Sequence, residues 1–434
     1  MIDTYSKYEN SCVEWIGDIP VDWKSVRLKW IAKISKGKKP NTEYEEPSNG
    51  KLPYLSMEYL RGQTSSPSYA DPEQESLLQV DEGDHLILWD GSNAGEIVTA
   101  KKGFLSSTMA KIDIQDDRFI DGYLNYLLQI AQSHIQANTI GMGIPHVSGT
   151  ILKDVLMIIP TQLEQSKISQ YLDHQTGLID TIIEKKQQLI EKLKEQRQAI
   201  INEAVTKGLH PNAPMRDSHV KWLGKIPEHW KILKLKYLAD VTRGAILRPV
   251  DDPNYFDDNG VWTYLNISDA TKCDKYLYSG KLKLSELGST KSARVEPGNL
   301  IMTASATIGK IFINQIPVCV HDGFIPIRKL KCNINFLYHY LRNPQLYVGI
   351  GKSNTQKNIY VDEVKNMFIA LPPKDEQEEI YHYLEVQEVN YKNIMEKLEN
   401  QLQKIINYRH SIISEAVTGK IDVREWEPRI KETA

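Results

Sequence analysis

Asn354, Gln356, Lys357 and Asn358 stand together in GKSNTQKNIY, the stretch that begins at Gly351. Carboxamides at this density can pair with both edge groups of adenine, and a lysine such as Lys352 beside them can neutralise a phosphate. A second stretch, TIGMGIPHVS from Thr139, occupies the matching place earlier in the chain and contributes His146. Another kind of loop is also written twice. WDGSNAG supplies Trp89, Ser92 and Asn93, while ASATIG supplies Ser305 and Thr307, each after an apolar run. Basic residues make a third pair, Lys36, Lys38 and Lys39 in KISKGKK against Arg243 and Arg248 in TRGAILR. Loop cations bind phosphates, and an arginine fork fits O6 and N7 of guanine. Each loop also has a plainer reading, as turn chemistry or as solvated surface.

Catalytic chemistry is harder to find. GIGKS at Gly349 contains Gly-Lys-Ser, but the P-loop pattern needs a glycine where Leu346 stands. DPNYF at Asp252 lacks the second proline of the Asp-Pro-Pro-Tyr motif that holds a target amino nitrogen, and NPQL at Asn343 lacks both that proline and the aromatic. GMGIP at Gly141 is too short for a dinucleotide or methyl-donor loop, and neither HExxH nor GxSxG occurs. Cys12, Cys273, Cys319 and Cys332 show no CxxC spacing, so neither structural zinc nor a disulfide framework is expected. The expectation is a binding chain with no catalytic centre and no cofactor of its own.

Charge and hydropathy narrow the partners. Lys and Arg total 53 against 56 Asp and Glu, a net charge of -3, so any contact with a polyanion must rest on local patches. The first residues have no apolar core of a signal peptide, and no run of about 18 apolar residues occurs. A cytoplasmic protein away from membranes is expected.

The elements that must position these loops are themselves duplicated. WIGDIPVDWKSVRLK from Trp15 is rewritten as WLGKIPEHWKILKLK from Trp222, and the stretch from Pro160 aligns without a gap on that from Pro372. Glu164 meets Glu376, Tyr171 meets Tyr383, Arg197 meets Arg409, and Glu203-Ala-Val-Thr206 meets Glu415-Ala-Val-Thr418. Ile168, Leu172, Ile179, Ile182, Leu189, Leu193 and Ile200 predict one long amphipathic helix. Ile380, Leu384, Tyr391, Ile394, Leu398, Ile405, Tyr408 and Ile412 predict a second. Connectivity predicts an antiparallel coiled coil. The remaining segments keep only a skeleton in common: PYLSM against TYLNI, VDEGDHLIL against VEPGNLIMT, VLMIIP against NMFIALP. Short β-branched and aromatic runs bounded by turn residues predict an α+β fold of two β-rich domains in tandem. The expected boundaries are 1–159 and 210–371 for the domains, with 160–209 and 372–434 for the helices and the closing tail. The tryptophan motif is read as packing each domain start against this scaffold.

In this order the twice-written motifs resemble the specificity subunits of Type I restriction-modification systems, and the resemblance spans essentially the whole chain. It implies two target recognition domains, each reading one part of a bipartite double-stranded DNA sequence, held apart by the coiled coil. It implies methylation subunits, two of them, that carry S-adenosylmethionine and adenine chemistry, and restriction or translocase subunits that use ATP and Mg. The base-reading residues of this family lie in variable loops, so the site residues named above come from paired loops rather than from the resemblance. Two rivals stand beside it. A self-contained methyltransferase or nuclease would need the missing motifs, and a coiled-coil protein adaptor would leave no specific footprint on DNA.

Overall fold

The computed structural model describes residues 4–47, 50–72, 77–141, 143–250, 252–304, 309–348 and 358–428. The chain divides into two compact units, Met1–Lys186 with Asn400–Ala434, and Gln187–Glu399. Two long helices, Gln162–Lys207 and Lys374–Val417, each run through both.

Unit 1 is built on a four-stranded antiparallel sheet in the order Ala32–Lys36, Met109–Ile114, His85–Leu88, Ile97–Thr99. VDEGDHLIL supplies the third of these strands. A second sheet of four strands pairs Leu52–Leu55, from PYLSM, in parallel with Gly103–Leu105. The helix Asp121–Ala137 buries Tyr123, Leu124, Leu127, Leu128 and Ala131 at the spacing of one helical face. They join Ile168, Leu172, Ile179, Ile413 and Val417 of the long helices in one core.

Unit 2 repeats the plan with different strands at the margins. Its larger sheet runs Asp240–Val241, Phe324–Arg328, Leu300–Thr303, Ile311–Asn314, Tyr276–Leu277. Among the described residues the fifth strand has no counterpart in unit 1. TYLNI again forms a strand, Trp262–Leu265, with a parallel partner, Val318–Val320. The core gathers Leu300, Ile313, Phe336 and Tyr340 around Ile201, Val205, Ile380 and Leu384 of the long helices.

In both units the tryptophan motif closes the domain on its scaffold. Its end, Lys24–Arg27 or Lys231–Lys234, zips antiparallel to the strand that precedes a long helix, Leu156–Ile159 or Phe368–Leu371. Trp23 is 3% exposed and donates its indole N–H to Glu164 Oε1 at 3.2 Å. Trp230, 1% exposed, donates to Glu376 Oε1 at 3.1 Å. The glycine ending the other long helix packs on the same ring. A Cβ on Gly419 would lie 2.9 Å from Trp23, and one on Gly208 3.1 Å from Trp230. Each tryptophan thus ties the start of one helix to the end of the other, while its burial contributes roughly 1.5–3 kcal/mol. The glutamine after each glutamate completes the joint. Gln165 Oε1 accepts the Ile120 N–H at 3.0 Å, and Gln377 Oε1 accepts the Asn333 N–H at 2.8 Å.

Within each unit the helix segments are antiparallel: Asp180 accepts from Arg409 and Gln401 from Lys186 in unit 1, and Glu388 accepts from Arg197 in unit 2. The apolar seam differs in register from the heptad expectation. Ile182 and Leu189 are 45% and 44% exposed, whereas Ile190 is buried and Ile183 is partly so. On the first helix Ile168, Ile179, Ile190 and Ile201 are buried, at a spacing of eleven. An eleven-residue repeat is about 3.67 residues per turn, close to the straight helix, whereas a strict heptad drifts by about 20° every seven residues. The stripe therefore moves one residue onward after Ile179. On the second helix the same drift buries Met395 and leaves Ile394 and Tyr408 exposed.

Candidate nucleic-acid interface

The predicted loops converge in unit 1 at the end of the antiparallel sheet that contains Ala32–Lys36. Strand Ala32–Lys36 ends beside Gly37, whose N–H donates to the Met109 carbonyl at 3.0 Å. A Cβ at Gly37 would lie 2.1 Å from the Ser106 carbonyl oxygen, so only glycine lets the strand cross that turn so closely. This fixes Lys36. Its ammonium sits 4.7 Å from the centre of the Trp89 ring and 3.4 Å from Asp90 Oδ2. The Asp90 and His146 backbones pair as an isolated antiparallel β-bridge, and the Val147 N–H donates to the Trp89 carbonyl at 2.9 Å. Lys38 and Lys39 follow as exposed cations. Ser92 and Asn93 are exposed in the turn beyond Asp90, where the Glu96 N–H donates to the Asn93 carbonyl at 3.1 Å.

Unit 2 rebuilds this junction with other side chains. Gly244 presses harder still, a Cβ there lying 1.9 Å from the His321 carbonyl oxygen, and its N–H donates to the Phe324 carbonyl at 3.0 Å. Arg243 therefore stands where Lys36 stands in unit 1. The Ile359 N–H donates to the Ala304 carbonyl at 3.0 Å, which makes Asn358 the counterpart of His146 and Ala304 that of Trp89. Arg243 and Asn358 line one cleft of about 640 Å³ together with Asp322, Tyr360, Asp362 and Lys365. Burial holds the His321 imidazole below its ordinary pKa, although the neighbouring Asp322 carboxylate acts the other way. Arg248 does not join the cleft. It is exposed in the next loop, where its carbonyl accepts from the Tyr255 hydroxyl at 3.1 Å. Ser305, Thr307, Lys352, Asn354, Gln356 and Lys357 lie outside the described residues.

Sequence reasoning missed Asp90, Asp322 and the two close-packed glycines. KG at Lys36 against RG at Arg243 was a readable signal for the glycines. For the acids there was none, because Asp90 follows one sheet strand and Asp322 precedes another. The motif imitations resolve into turns: Asp252 Oδ1 accepts the Asn254 N–H and Asn343 Oδ1 accepts the Gln345 N–H, each at 2.9 Å. Among the described residues no His, Cys, Asp and Glu cluster could hold a metal ion, the four cysteines are free, and no helix is long and apolar enough to cross a membrane.

Two copies of one junction, each ending a sheet of one plan, find their match in known families. The family model for the Type I restriction modification DNA specificity domain matches twice, over residues 20–192 and 227–404. The chain belongs to the Type I restriction-modification specificity family. Among curated relatives, the Type I restriction enzyme MjaVIII specificity subunit of Methanocaldococcus jannaschii is 31% identical over 420 residues, covering 94% of each chain. The EcoBI specificity subunit of Escherichia coli is 24% identical, over 93% of this chain and 87% of that one. A chain solved in work on complex assembly and conformational transition of the type I R-M system shares the fold at 15% identity. Its TM-score is 0.67, with 92% of this chain and 98% of that one covered. In this specificity-family member the two family matches each contain one of the junctions above.

Proposed function

We propose that this chain is the non-catalytic DNA-recognition subunit of a Type I restriction-modification complex, in which each unit reads one half of a bipartite double-stranded target. The observation that carries the reading is the doubled junction. Equivalent backbone positions hold Lys36, Trp89 and His146 in one unit and Arg243, Ala304 and Asn358 in the other. One frame with two sets of side chains suits two different half-sites. Lys38 and Lys39 would neutralise phosphates, and Ser92, Asn93, His146, Arg243 and Asn358 would face base edges. Arg248, Ser305, Thr307, Lys352, Asn354, Gln356 and Lys357 complete the proposed DNA-contacting set. The recognition domains span 1–159 and 210–371, and the helices of 160–209 and 372–434 carry the docking of two methylation subunits. S-adenosylmethionine, adenine methylation, ATP and Mg belong to those and to the restriction subunits, in the cytoplasm.

The test separates binding from turnover. Purified alone, the chain should neither methylate nor cut DNA nor hydrolyse ATP; combined with its methylation subunits, it should protect two separated patches on a target duplex. Turnover by the isolated chain, or one continuous footprint, contradicts the proposal.

A further inference from the structure

We propose that the Arg243 and Asp322 pair reads a G·C base pair in the half-target served by unit 2, Arg243 forking the guanine and Asp322 accepting from the cytosine amino group. This deepens, and rests on, the reading of the chain as a DNA specificity subunit.

Three observations lead there. The first is placement. Gly244 locks the backbone against His321, so Arg243 is held beside the turn that carries Asp322. Arg243 Nε lies 3.4 Å from the Asp322 carbonyl oxygen and Nη2 lies 3.5 Å from its carboxylate, while the side chains remain 62% and 46% exposed. The guanidinium is oriented but still has free donor edges.

The second is charge. A carboxylate on a surface that tracks phosphates repels them and weakens binding. Among the described residues lining the cleft, Arg243 and Lys365 are balanced by Asp322 and Asp362. A cleft without excess positive charge is a poor phosphate cradle. Its adjoining donor fork and carboxylate match the major-groove edge of a G·C pair, which offers two guanine acceptors and one cytosine donor.

The third is the contrast between units. After Gly37 the chain continues with Lys38 and Lys39, but after Gly244 it continues with Ala245 and Ile246. The cations that would hold the backbone in unit 1 are replaced here by apolar residues. What unit 2 keeps at this place is the oriented arginine and its acid.

The test uses the full chain assembled with its methylation subunits. Methylated adenines mapped for the wild type define the motif, and duplexes with single base-pair changes are then competed against it at several salt concentrations. A G·C pair in one half should cost about 5- to 150-fold in affinity when replaced. Arg243→Ala should erase that penalty at that position alone, Asp322→Asn should shrink it, and both should leave the salt slope unchanged. Circular dichroism of the assembled variants checks that they fold. A phosphate role gives the opposite pattern: unchanged base penalties, a salt slope smaller by about one for Arg243→Ala, and tighter binding to every duplex for Asp322→Asn. That pattern, or a split motif in which no position loses discrimination, overturns the pair assignment alone. A wild-type motif that is not split overturns the specificity reading beneath it.

Discussion

A missing Cβ sets the position of the basic residue in each unit. Gly244→Ala would drive a methyl group into the His321 carbonyl, and such overpacking typically costs about 1–3 kcal/mol. Denaturant unfolding of the variant should show that loss, and the assembled complex should lose base discrimination in one half of its target while keeping the other. Glu385 offers a test by pH. It lies 3.3 Å from His339 Nε2 and accepts from Lys275 at 2.6 Å, and these partners, His339 foremost, hold its pKa at about 2, below the ordinary 4.5. A depressed carboxylate stabilises the fold above its unfolded pKa, and that stabilisation is lost as pH falls from about 4.5 towards 2. Melting temperatures of Glu385→Gln should lack this part of the acid dependence; identical acid profiles for variant and wild type would exclude it. At this scale Lys36, Arg243, His146 and Asn358 were legible because the sequence writes their loops twice. Their acidic neighbours were not, since a contact between different elements leaves no mark in a linear repeat.

The long helices were legible as elements, from their apolar periodicity and from the glycines that end them. Their contact stripe was less so. A heptad count and an eleven-residue count agree from Ile168 to Ile179 and part company after it, where the drift of a nearly straight helix carries the seam to Ile183 and Ile190. The two readings predict different mutants. Ile179→Ala removes a side chain that is 6% exposed and should cost about 2–5 kcal/mol. Ile182→Ala removes one that is 45% exposed and should fall within about 0.5 kcal/mol of wild type. Urea midpoints compare them directly, and equal losses would restore the heptad seam. The tryptophan motif was read as a packing device, and Trp23 and Trp230 do pack each domain start onto a helix start. The glutamates they hold, Glu164 and Glu376, were visible as a repeat without a role.

For the whole molecule, duplication was the most informative feature of the sequence, because a pattern written twice in the same order constrains fold and function together. The α+β class and the pair of long helices followed from it. The fifth strand of the unit 2 sheet did not, since Tyr276–Leu277 lies where the halves no longer resemble one another. The divergence that hid that strand is what the proposed function needs: one frame carrying two unlike reading surfaces. The direct measurement is a genome-wide map of methylated adenines in cells that express this chain with its methylation subunits and no other specificity subunit. The expected result is an asymmetric motif in two parts separated by a fixed gap of unspecified bases. A continuous motif, or one whose halves are perfect inverted copies, would contradict it.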